Sequence, residues 1–404
     1  MTHDAESNVR LYARYRAATS TFAWLPVFFL YFASHVPFAR VLELEAIYYI
    51  AVVLLEVPSG WLSDRYGRVP VLRVAAGLFA ISYVLFWFGS GFGTFAVAQV
   101  LLGTAMAFQS GSDTALHYDS LHHLRRTEEY GRREAHAERI ALATVAVSCL
   151  VGGAVAMLDL ALAYAASLVG AVITLVLSCM LREAQPVTEH DAPGAAAFGR
   201  QLVNVASTLR DSRLRWLFFY AVALFVLVHV PYEFYQPWLD RTLGAEASGK
   251  ARMTPLVSGA LFAITSLASA FVAGKSMAAS ERYGMHVHAA FALALAAIVI
   301  ATLSSGFHPI LGVAILVRSI PMAWMAAPLR AAVAPRLAAS MRATWLSVQA
   351  LVSRLVFAGV LFASSRLPLD EEHRLSSTLR MLASFSAVVV VAVWLTRPRD
   401  RGEG

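Results

Sequence analysis

Four ionisable side chains interrupt otherwise apolar stretches of this sequence: Glu56, Asp113, Arg318 and Arg354. A charge at the centre of a bilayer costs at least about 2.5 kcal/mol, so such residues pair with one another or serve a function. The two acids balance the two arginines, which predicts an ion pair between Glu56 and Arg354, or between Asp113 and either arginine. A carboxylate in a low-dielectric cavity can also exchange protons near neutral pH. Glu56 and Asp113 are therefore candidates for proton coupling, whereas Arg318 and Arg354 are candidate intramembrane charges that pair with them, and Arg318 is also a candidate for contact with a substrate or anion.

A second group of candidates consists of polar, aromatic or helix-bending residues within apolar stretches. As lining of a substrate cavity we predict Tyr31, His35, Gln109, Tyr220, His229 and Pro321. Pro321 lies three residues after Arg318 and removes one helix hydrogen bond, which predicts a bend beside the charge. Tyr232, Tyr235 and Trp238 are typical of anchors at a membrane interface.

The composition indicates what kind of element positions these residues. The chain has 404 residues, of which 58% are apolar and only 15% are charged. A soluble domain is about 45–50% apolar and about 25% charged. The composition therefore predicts a multi-pass membrane protein and excludes a soluble enzyme, a disordered chain and a secreted disulfide scaffold.

Twelve apolar segments are long enough to cross a bilayer as helices, which satisfy their own backbone hydrogen bonds. They lie near 17–36, 42–62, 71–90, 93–116, 139–158, 160–181, 216–238, 253–274, 287–305, 309–333, 343–365 and 376–396. The fold class is therefore an all-α integral membrane protein with twelve transmembrane helices.

The basic residues predict the orientation. Of the 33 lysines and arginines, 24 fall on the side of the termini and 7 on the other. This bias predicts that both termini are cytoplasmic, in a plasma membrane such as the bacterial inner membrane. The net charge of +7 is then a topology signal facing an anionic inner leaflet, and we expect no nucleic-acid partner.

The longest polar interruption divides the chain. It predicts an N-terminal six-helix bundle at 1–182, a cytoplasmic linker at 183–215 and a C-terminal six-helix bundle at 216–404. Four apolar residues of the linker are spaced for one face of a surface helix: Phe198, Leu202, Val205 and Leu209.

The two predicted bundles share a short sequence repeat. Ser63-Asp-Arg-Tyr-Gly67 follows the second span, and Ser280-Glu-Arg-Tyr-Gly284 follows the eighth. Similar sequences in equivalent loops indicate an internal duplication, which is the plan of many secondary transporters. The bundles are therefore expected to be pseudo-symmetric.

The first of these loops carries the most specific motif. Residues 60–68 read Gly60-Trp-Leu-Ser-Asp64-Arg65-Tyr-Gly67-Arg68, which resembles the G-x-x-x-D-(R/K)-x-G-R signature of the major facilitator superfamily. The resemblance implies that fold over essentially the whole chain. It also implies a conformational latch, formed by Gly60, Asp64, Arg65, Gly67 and Arg68 with Asp119 as a partner.

Two other motifs of the superfamily are incomplete. Gln99 stands four residues before Gly103, where many proton-linked drug exporters carry an arginine. The fifth-helix pattern of antiporters reduces to Cys149-Leu-Val-Gly152-Gly153, without its proline. The resemblance therefore does not decide the direction of transport.

The predicted function is secondary active transport by alternating access, with proton-coupled efflux of a small organic compound as the first interpretation. Uptake of a nutrient or metal chelate is the alternative, and a non-transporting membrane sensor represents a different class. An enzyme is not expected, because the sequence lacks H-E-x-x-H and G-x-S-x-G. We expect a monomer with no cofactor and no metal site, whose partners are its substrate, protons and the bilayer.

Overall fold

The computed structural model describes residues 2–183, 195–244, 253–337 and 339–398, and within these ranges every regular element is a helix. In the first part of the chain the α-helices are α1 (Thr2–Thr19), α2 (Phe28–Ala33), α3 (Phe38–Tyr66), α4 (Arg68–Phe88), α5 (Phe92–Gln109), α6 (Ser112–His123), α7 (Tyr130–Ala156) and α8 (Leu162–Met180). In the second part they are α9 (Ala195–Thr208), α10 (Ser212–Gly244), α11 (Thr254–Ala273), α12 (Ser276–Tyr283), α13 (Met285–Ser304), α14 (Val313–Leu316), α15 (Ile320–Val333), α16 (Ala339–Ser365) and α17 (Arg374–Leu395). The all-α prediction is confirmed.

Ten helical stretches of the described residues are long and apolar enough to cross a membrane. They coincide with the third to the twelfth predicted span. The first predicted span, 17–36, includes the end of α1 and the whole of α2. The second, 42–62, lies within α3. The chain is therefore a multi-pass membrane protein.

The prediction of one continuous helix over 17–36 was wrong. α1 ends at Thr19, and the short α2 begins only at Phe28. Pro26 lies in the gap and cannot donate a backbone hydrogen bond, which disfavours a helix through this segment. Side chains from elsewhere bind the exposed backbone: Ser167 Oγ accepts from Trp24 N at 3.2 Å, and Ser258 Oγ donates to the Pro26 carbonyl at 2.6 Å.

The same gap is packed against glycines of two neighbouring helices. A Cβ atom on Gly152 of α7 would overlap the backbone of Ala23, and one on Gly170 of α8 would overlap the Thr21 side chain. Small residues let backbones approach closely where side chains would keep them apart. Gly152 of the fifth span and Gly170 of the sixth therefore accommodate the interruption of the first, whereas a Cβ on Gly153 would meet the Pro255 carbonyl instead.

The fourth predicted span, 93–116, is also interrupted. α5 ends at Gln109, and α6 begins at Ser112 after Gly111. Gly111 has a φ of 78°, in the left-handed region that glycine enters without steric cost. The break leaves Asp113 in the first turn of α6, where its Oδ1 accepts from Thr114 N at 2.7 Å.

The predicted bend in the tenth span is a complete break. α14 ends at Leu316 and α15 begins at Ile320, with Arg318 in the turn between them. Pro321 occupies the first turn of α15, where the lack of an N–H costs no helical hydrogen bond. The charge and the interruption therefore coincide, as they do at Asp113.

The chain forms two compact units. Unit 1 comprises Met1–Ala195 with Arg252–Ala263, and unit 2 comprises Ala196–Ala251 with Ile264–Gly404. α11 thus contributes its first half to unit 1 and its second half to unit 2. This division differs from the predicted boundary, which assigned the whole of α11 to the C-terminal bundle. α9 occupies part of the predicted linker, of which residues 184–194 lie outside the described ranges.

The sequence repeat has a structural counterpart in each unit. Gly67 joins α3 to α4 with φ 97° and ψ 158°, and Gly284 joins α12 to α13 with φ 80° and ψ 149°. Each glycine N–H donates to the serine four residues earlier, Ser63 or Ser280. The two loops therefore share one backbone conformation that requires glycine.

Gly152→Ala should destabilise the protein, because the added methyl group overlaps the Ala23 backbone. Overpacking of this kind costs about 1–3 kcal/mol, whereas alanine otherwise favours a helix over glycine by about 1 kcal/mol. Thermal unfolding in detergent should show a lower Tm for this variant. Gly131→Ala is the matched control, since a Cβ at that position of α7 meets nothing within 4 Å. Equal Tm values for the two variants would contradict the close-packing interpretation.

Candidate functional site

A charged cluster lies in unit 1 where α1, α6 and α7 meet. Arg16 of α1 donates through Nη1 to Asp113 Oδ2 at 3.0 Å and through Nη2 to Glu138 Oε2 at 2.7 Å. Asp113 is only 4% exposed, whereas the Glu138 side chain is 51% exposed. One guanidinium therefore bridges a buried carboxylate and a solvent-facing carboxylate.

Two aromatic residues extend this cluster. The hydroxyl of Tyr12, one helical turn before Arg16, donates to Glu134 Oε1 at 3.0 Å. The Tyr12 ring stacks on His117 with 3.9 Å between centroids. Both His117 ring nitrogens are buried and have no hydrogen-bond partner among the described residues. We refer to Tyr12, Arg16, Asp113, His117, Glu134 and Glu138 as the Arg16 cluster.

The Arg16 cluster contains more acid than base. Arg16 binds two of its three carboxylates, the third, Glu134, accepts from the Tyr12 hydroxyl, and His117 is the remaining titratable nitrogen base. Arg133, the next cation on α7, donates to Glu129 at 2.7 Å and so has an acid of its own. With all three acids ionised and His117 neutral, the cluster carries two excess negative charges. A bound proton reduces that excess to one negative charge.

The sequence did not identify the partner of Asp113. We predicted Arg318 or Arg354, but the described ion pair is with Arg16. Arg16 was assigned to the polar N-terminal flank because the first span was expected to begin at residue 17. The four-residue spacing of Tyr12 and Arg16 was the available signal, since it places both on one face of a helix.

Arg318 is the centre of a second polar site, in unit 2. The residue is 3% exposed, and its guanidinium carbon lies 4.7 Å from the ring centroid of Tyr235 and 5.5 Å from that of Tyr232. A cation over aromatic faces gains electrostatic stabilisation that grows as water is removed. Glu233 and Gln236, from the same helix as the tyrosines, are fully buried. Arg318, which we predicted as an intramembrane charge, therefore lies against two aromatic rings.

The expectation of interfacial anchors on α10 was wrong for two residues. Tyr235 and Trp238 are fully buried, and the Trp238 indole donates to the carbonyls of Leu303 and Gly306 at 3.0 Å each. α10 packs against α13, α15, α16 and α17 along its length. Tyr235 and Trp238 therefore belong to the packed core of unit 2, and Tyr235 also contacts Arg318.

Three predicted cavity residues have buried polar groups that are already bonded. The Tyr31 hydroxyl donates to the Phe86 carbonyl, and the Tyr220 hydroxyl donates to the Ala289 carbonyl at 3.1 Å. His229 Nδ1 lies 2.8 Å from the Phe225 carbonyl. Both tyrosines are at most 2% exposed. These contacts correspond to packing roles, and a contact with substrate stays a prediction.

The remaining cavity candidates, His35, Gln109 and Pro321, differ in their exposure. His35 is exposed, and its Nδ1 lies 2.8 Å from the Tyr31 carbonyl. Gln109 ends α5 beside the break, and its side-chain oxygen is buried without a hydrogen-bond partner among the described residues. Pro321 is buried in the first turn of α15. Of the three, only Gln109 has a side-chain acceptor without a hydrogen bond among the described residues, and it lies four residues before Asp113 in the sequence.

Glu56 and Arg354 lie on different units. Glu56 is partly buried on α3 in unit 1, and Arg354 is partly buried on α16 in unit 2. Their predicted pairing stays a prediction. Sequence analysis missed a more deeply buried acid, Glu45, which is 6% exposed and accepts from Gln99 Nε2 at 2.9 Å. Gln99 was singled out as the position of a missing arginine, and here it binds this acid.

The predicted latch lies around the start of α4. Arg68 Nε donates to Asp119 Oδ2 at 2.7 Å, with both side chains about one third exposed or less. The Arg65 guanidinium lies over Trp61, 5.3 Å from the ring centroid. Asp64 belongs to α3, but its side chain lies outside the described part of the structure. A Cβ at Gly60 would meet nothing within 4 Å, so that glycine is not required for close packing here.

One further acid at this end was not predicted. Glu183 accepts from Val69 N at 2.6 Å and so caps the first turn of α4. Burial raises the pKa of the Glu183 carboxyl, while the Val69 N–H and Arg68 oppose that shift. A negative group is favourable at a helix N-terminus because it complements the helix dipole. Glu183 therefore helps to fix the helix that carries Arg68.

Comparisons with known proteins agree with this architecture. The nucleoside transporter NupG is 12% identical, with a TM-score of 0.75 over 97% of this chain and 99% of that one. An auto-inhibited POT family peptide transporter is 11% identical, with a TM-score of 0.75 over 98% of each chain. At these identities the likeness concerns the fold alone. No curated protein matches by sequence.

The family is shown by the sequence itself. The model of the Major Facilitator Superfamily matches residues 17–363, which is most of the chain. That range includes the glycine-rich latch loop, the breaks at Gly111 and Arg318, and all but the first residues of the Arg16 cluster. The chain therefore belongs to the Major Facilitator Superfamily, and it is a membrane transporter and not an enzyme.

Proposed function

We propose that this transporter couples the movement of a small organic compound to protons, in the direction of export. The observation that carries the proposal is the Arg16 cluster, in which one guanidinium binds two carboxylates and a tyrosine binds a third beside a helix break. Intramembrane acids of transporters commonly belong to proton relays. The solved relatives transport nucleosides or peptides by their names, which supports a small polar or amphiphilic substrate.

Protonation of Asp113 is the proposed coupling step. When Asp113 is ionised, Arg16 is shared between it and Glu138. A proton on Asp113 removes the charge that holds Nη1, so Arg16 is left paired with Glu138 alone. α1 and α6 then lose the ion pair between them. Because a ligand shifts a conformational equilibrium only through its differential affinity, the proton must bind Asp113 more tightly in one state of the transport cycle.

The orientation follows from the distribution of basic residues. The excess of arginine on the side of the termini supports cytoplasmic termini and insertion in a plasma membrane. In that orientation the latch and the solvent-facing Glu138 lie at the cytoplasmic end. Glu138 is then placed to exchange protons with the cytoplasm, and Asp113 lies deeper along the route. A monomer contains the complete Arg16 cluster.

Asp113→Asn should uncouple transport from the proton gradient. The amide keeps the size and hydrogen-bonding capacity of the carboxylic acid but cannot bind or release the proton. Proteoliposomes with an imposed pH gradient, tested with nucleosides, dipeptides and organic cations, should show exchange of a transported compound without its accumulation. Glu128→Gln is the control, because Glu128 is an exposed acid between α6 and α7. If Asp113→Asn accumulates the compound as the wild type does, Asp113 is not on the proton path. If the wild type exchanges the compound but does not respond to the pH gradient, transport is not coupled to protons.

The Arg68–Asp119 ion pair should be needed for the transport cycle more than for folding. Asp119→Asn and Arg68→Gln should each slow transport, since each removes one partner of a charge-assisted hydrogen bond at the latch. The protein should still elute as a single species in detergent, because a partly exposed pair of this kind contributes only about 0.2–1 kcal/mol.

A charge exchange tests whether the pair itself matters. Arg68→Asp combined with Asp119→Arg should recover part of the transport rate that each single variant loses. If the exchanged protein is no more active than the single variants, the two residues act separately. If the single variants transport at the wild-type rate, the latch does not involve this pair.

A further inference from the structure

An apolar groove lies on one side of unit 2, between α10, α13 and α17. It encloses about 190 Å³ and is walled by Trp216 and Tyr220, by Ala290 and Leu293, and by Val393 and Trp394. An apolar cavity of about 150 Å³ takes up a molecule as large as benzene. The groove therefore has room for a segment of hydrocarbon chain.

A basic pocket adjoins the groove. It encloses about 240 Å³, and its lining includes Arg213, His286 and Arg336. Trp216 and His286 belong to both cavities, and Arg397 lies in the lining of the groove. None of the described residues that line either cavity is acidic. Apolar and cationic surfaces are thus continuous here.

The acid nearest in sequence is engaged elsewhere. The Asp211 carboxylate accepts from the backbone N–H groups of Arg213 and Leu214 and so caps α10. Arg336 uses one N–H to bind the Ala332 carbonyl at 2.6 Å. Because a guanidinium has five N–H donors, this bond leaves Arg336 able to bind a phosphate oxygen.

The walls of the groove are fixed by hydrogen bonds across helices. The Trp216 indole donates to the Val393 carbonyl at 2.9 Å, which ties α10 to α17. The Tyr220 hydroxyl ties α10 to α13 through Ala289. The Arg397 guanidinium stacks on Trp394 at 3.6 Å from the ring centroid. The groove is therefore preformed, which lowers the entropic cost of binding.

The position of the two cavities along the helices indicates a membrane boundary. α10 and α13 begin here, and α15 and α17 end here, so all four helices reach the same end of unit 2. Tryptophan beside arginine is typical of the level of lipid headgroups. Basic pockets between transmembrane helices bind anionic lipid headgroups.

We propose that unit 2 binds one anionic phospholipid at this position, with an acyl chain in the groove and its phosphate in the basic pocket. The apolar groove selects a lipid over free phosphate, since only a lipid occupies both cavities. The arginines select an anionic headgroup over a zwitterionic one. The site is independent of the Arg16 cluster and of the direction of transport.

The test uses the full chain in phosphatidylcholine nanodiscs with increasing fractions of phosphatidylglycerol, and native mass spectrometry to count bound lipid. The wild type should retain one phosphatidylglycerol. Arg336→Gln with Arg397→Gln should weaken retention by about fivefold for each charge removed. Arg10→Gln with Arg14→Gln is the matched control, because it removes two exposed arginines from unit 1. Equal weakening by both pairs would overturn the site and indicate general attraction to the anionic surface.

The groove is tested separately from the charges. Ala294→Phe, which fills the groove, should reduce retention, whereas Leu295→Phe, on a different and partly exposed face of the same helix, should not. Retention unaffected by Ala294→Phe would overturn the position of the acyl chain. Displacement of the lipid by millimolar inorganic phosphate would show that the pocket recognises phosphate alone. Equal retention of phosphatidylcholine would show that the arginines do not distinguish an anionic headgroup from a zwitterionic one. Either result would overturn the proposal.

Discussion

A backbone or side-chain polar group within the spans of this protein gains no hydrogen bond from hydrocarbon, so any partner must come from the protein or from water in a cavity. The constraint applies to backbone and side chain alike, and it accounts for the position of the helix breaks. Where α1 ends before α2, Ser167 and Ser258 bind the exposed backbone of Trp24 and Pro26. Where α5 ends before α6, Asp113 binds the N–H of the next residue. Each interruption is tolerated because a specific side chain completes it.

The same constraint links the breaks to the charges. Asp113 begins the helix after one break, and Arg318 lies within another. A broken helix presents unpaired N–H and carbonyl groups, so it provides the polar surroundings that a charge requires. In unit 1 the compensation is an ion pair with Arg16, and in unit 2 it includes the faces of Tyr232 and Tyr235. The two units therefore stabilise their charges with different chemistry.

Much of the fold could be predicted from the sequence because hydrophobicity and length alone define a span. The breaks were harder to predict, since an average over the length of a span hides a few polar residues such as Ser110, Gly111 and Ser112 behind the apolar helix before them. Partner residues were hardest. Arg16 was assigned to the polar flank before the first span, yet it binds Asp113. Average hydropathy locates a segment, but it does not indicate which face of that segment another helix covers.

The sequence repeat shows which features duplication kept. Gly67 and Gly284 have nearly the same backbone conformation, and each closes a helix through the serine four residues earlier. An arginine stacks on the tyrosine before the glycine in both loops, Arg65 on Tyr66 and Arg282 on Tyr283. The charges deeper in the spans are not repeated in this way: the Arg16 cluster belongs to unit 1 alone. A loop conformation that favours glycine restricts the sequence of both loops in the same way. A buried charge restricts only the sequence of the helices that contact it. The shared backbone conformation of the repeated loops is therefore best explained by the common fold, and the unrepeated charges are the residues that distinguish the two units.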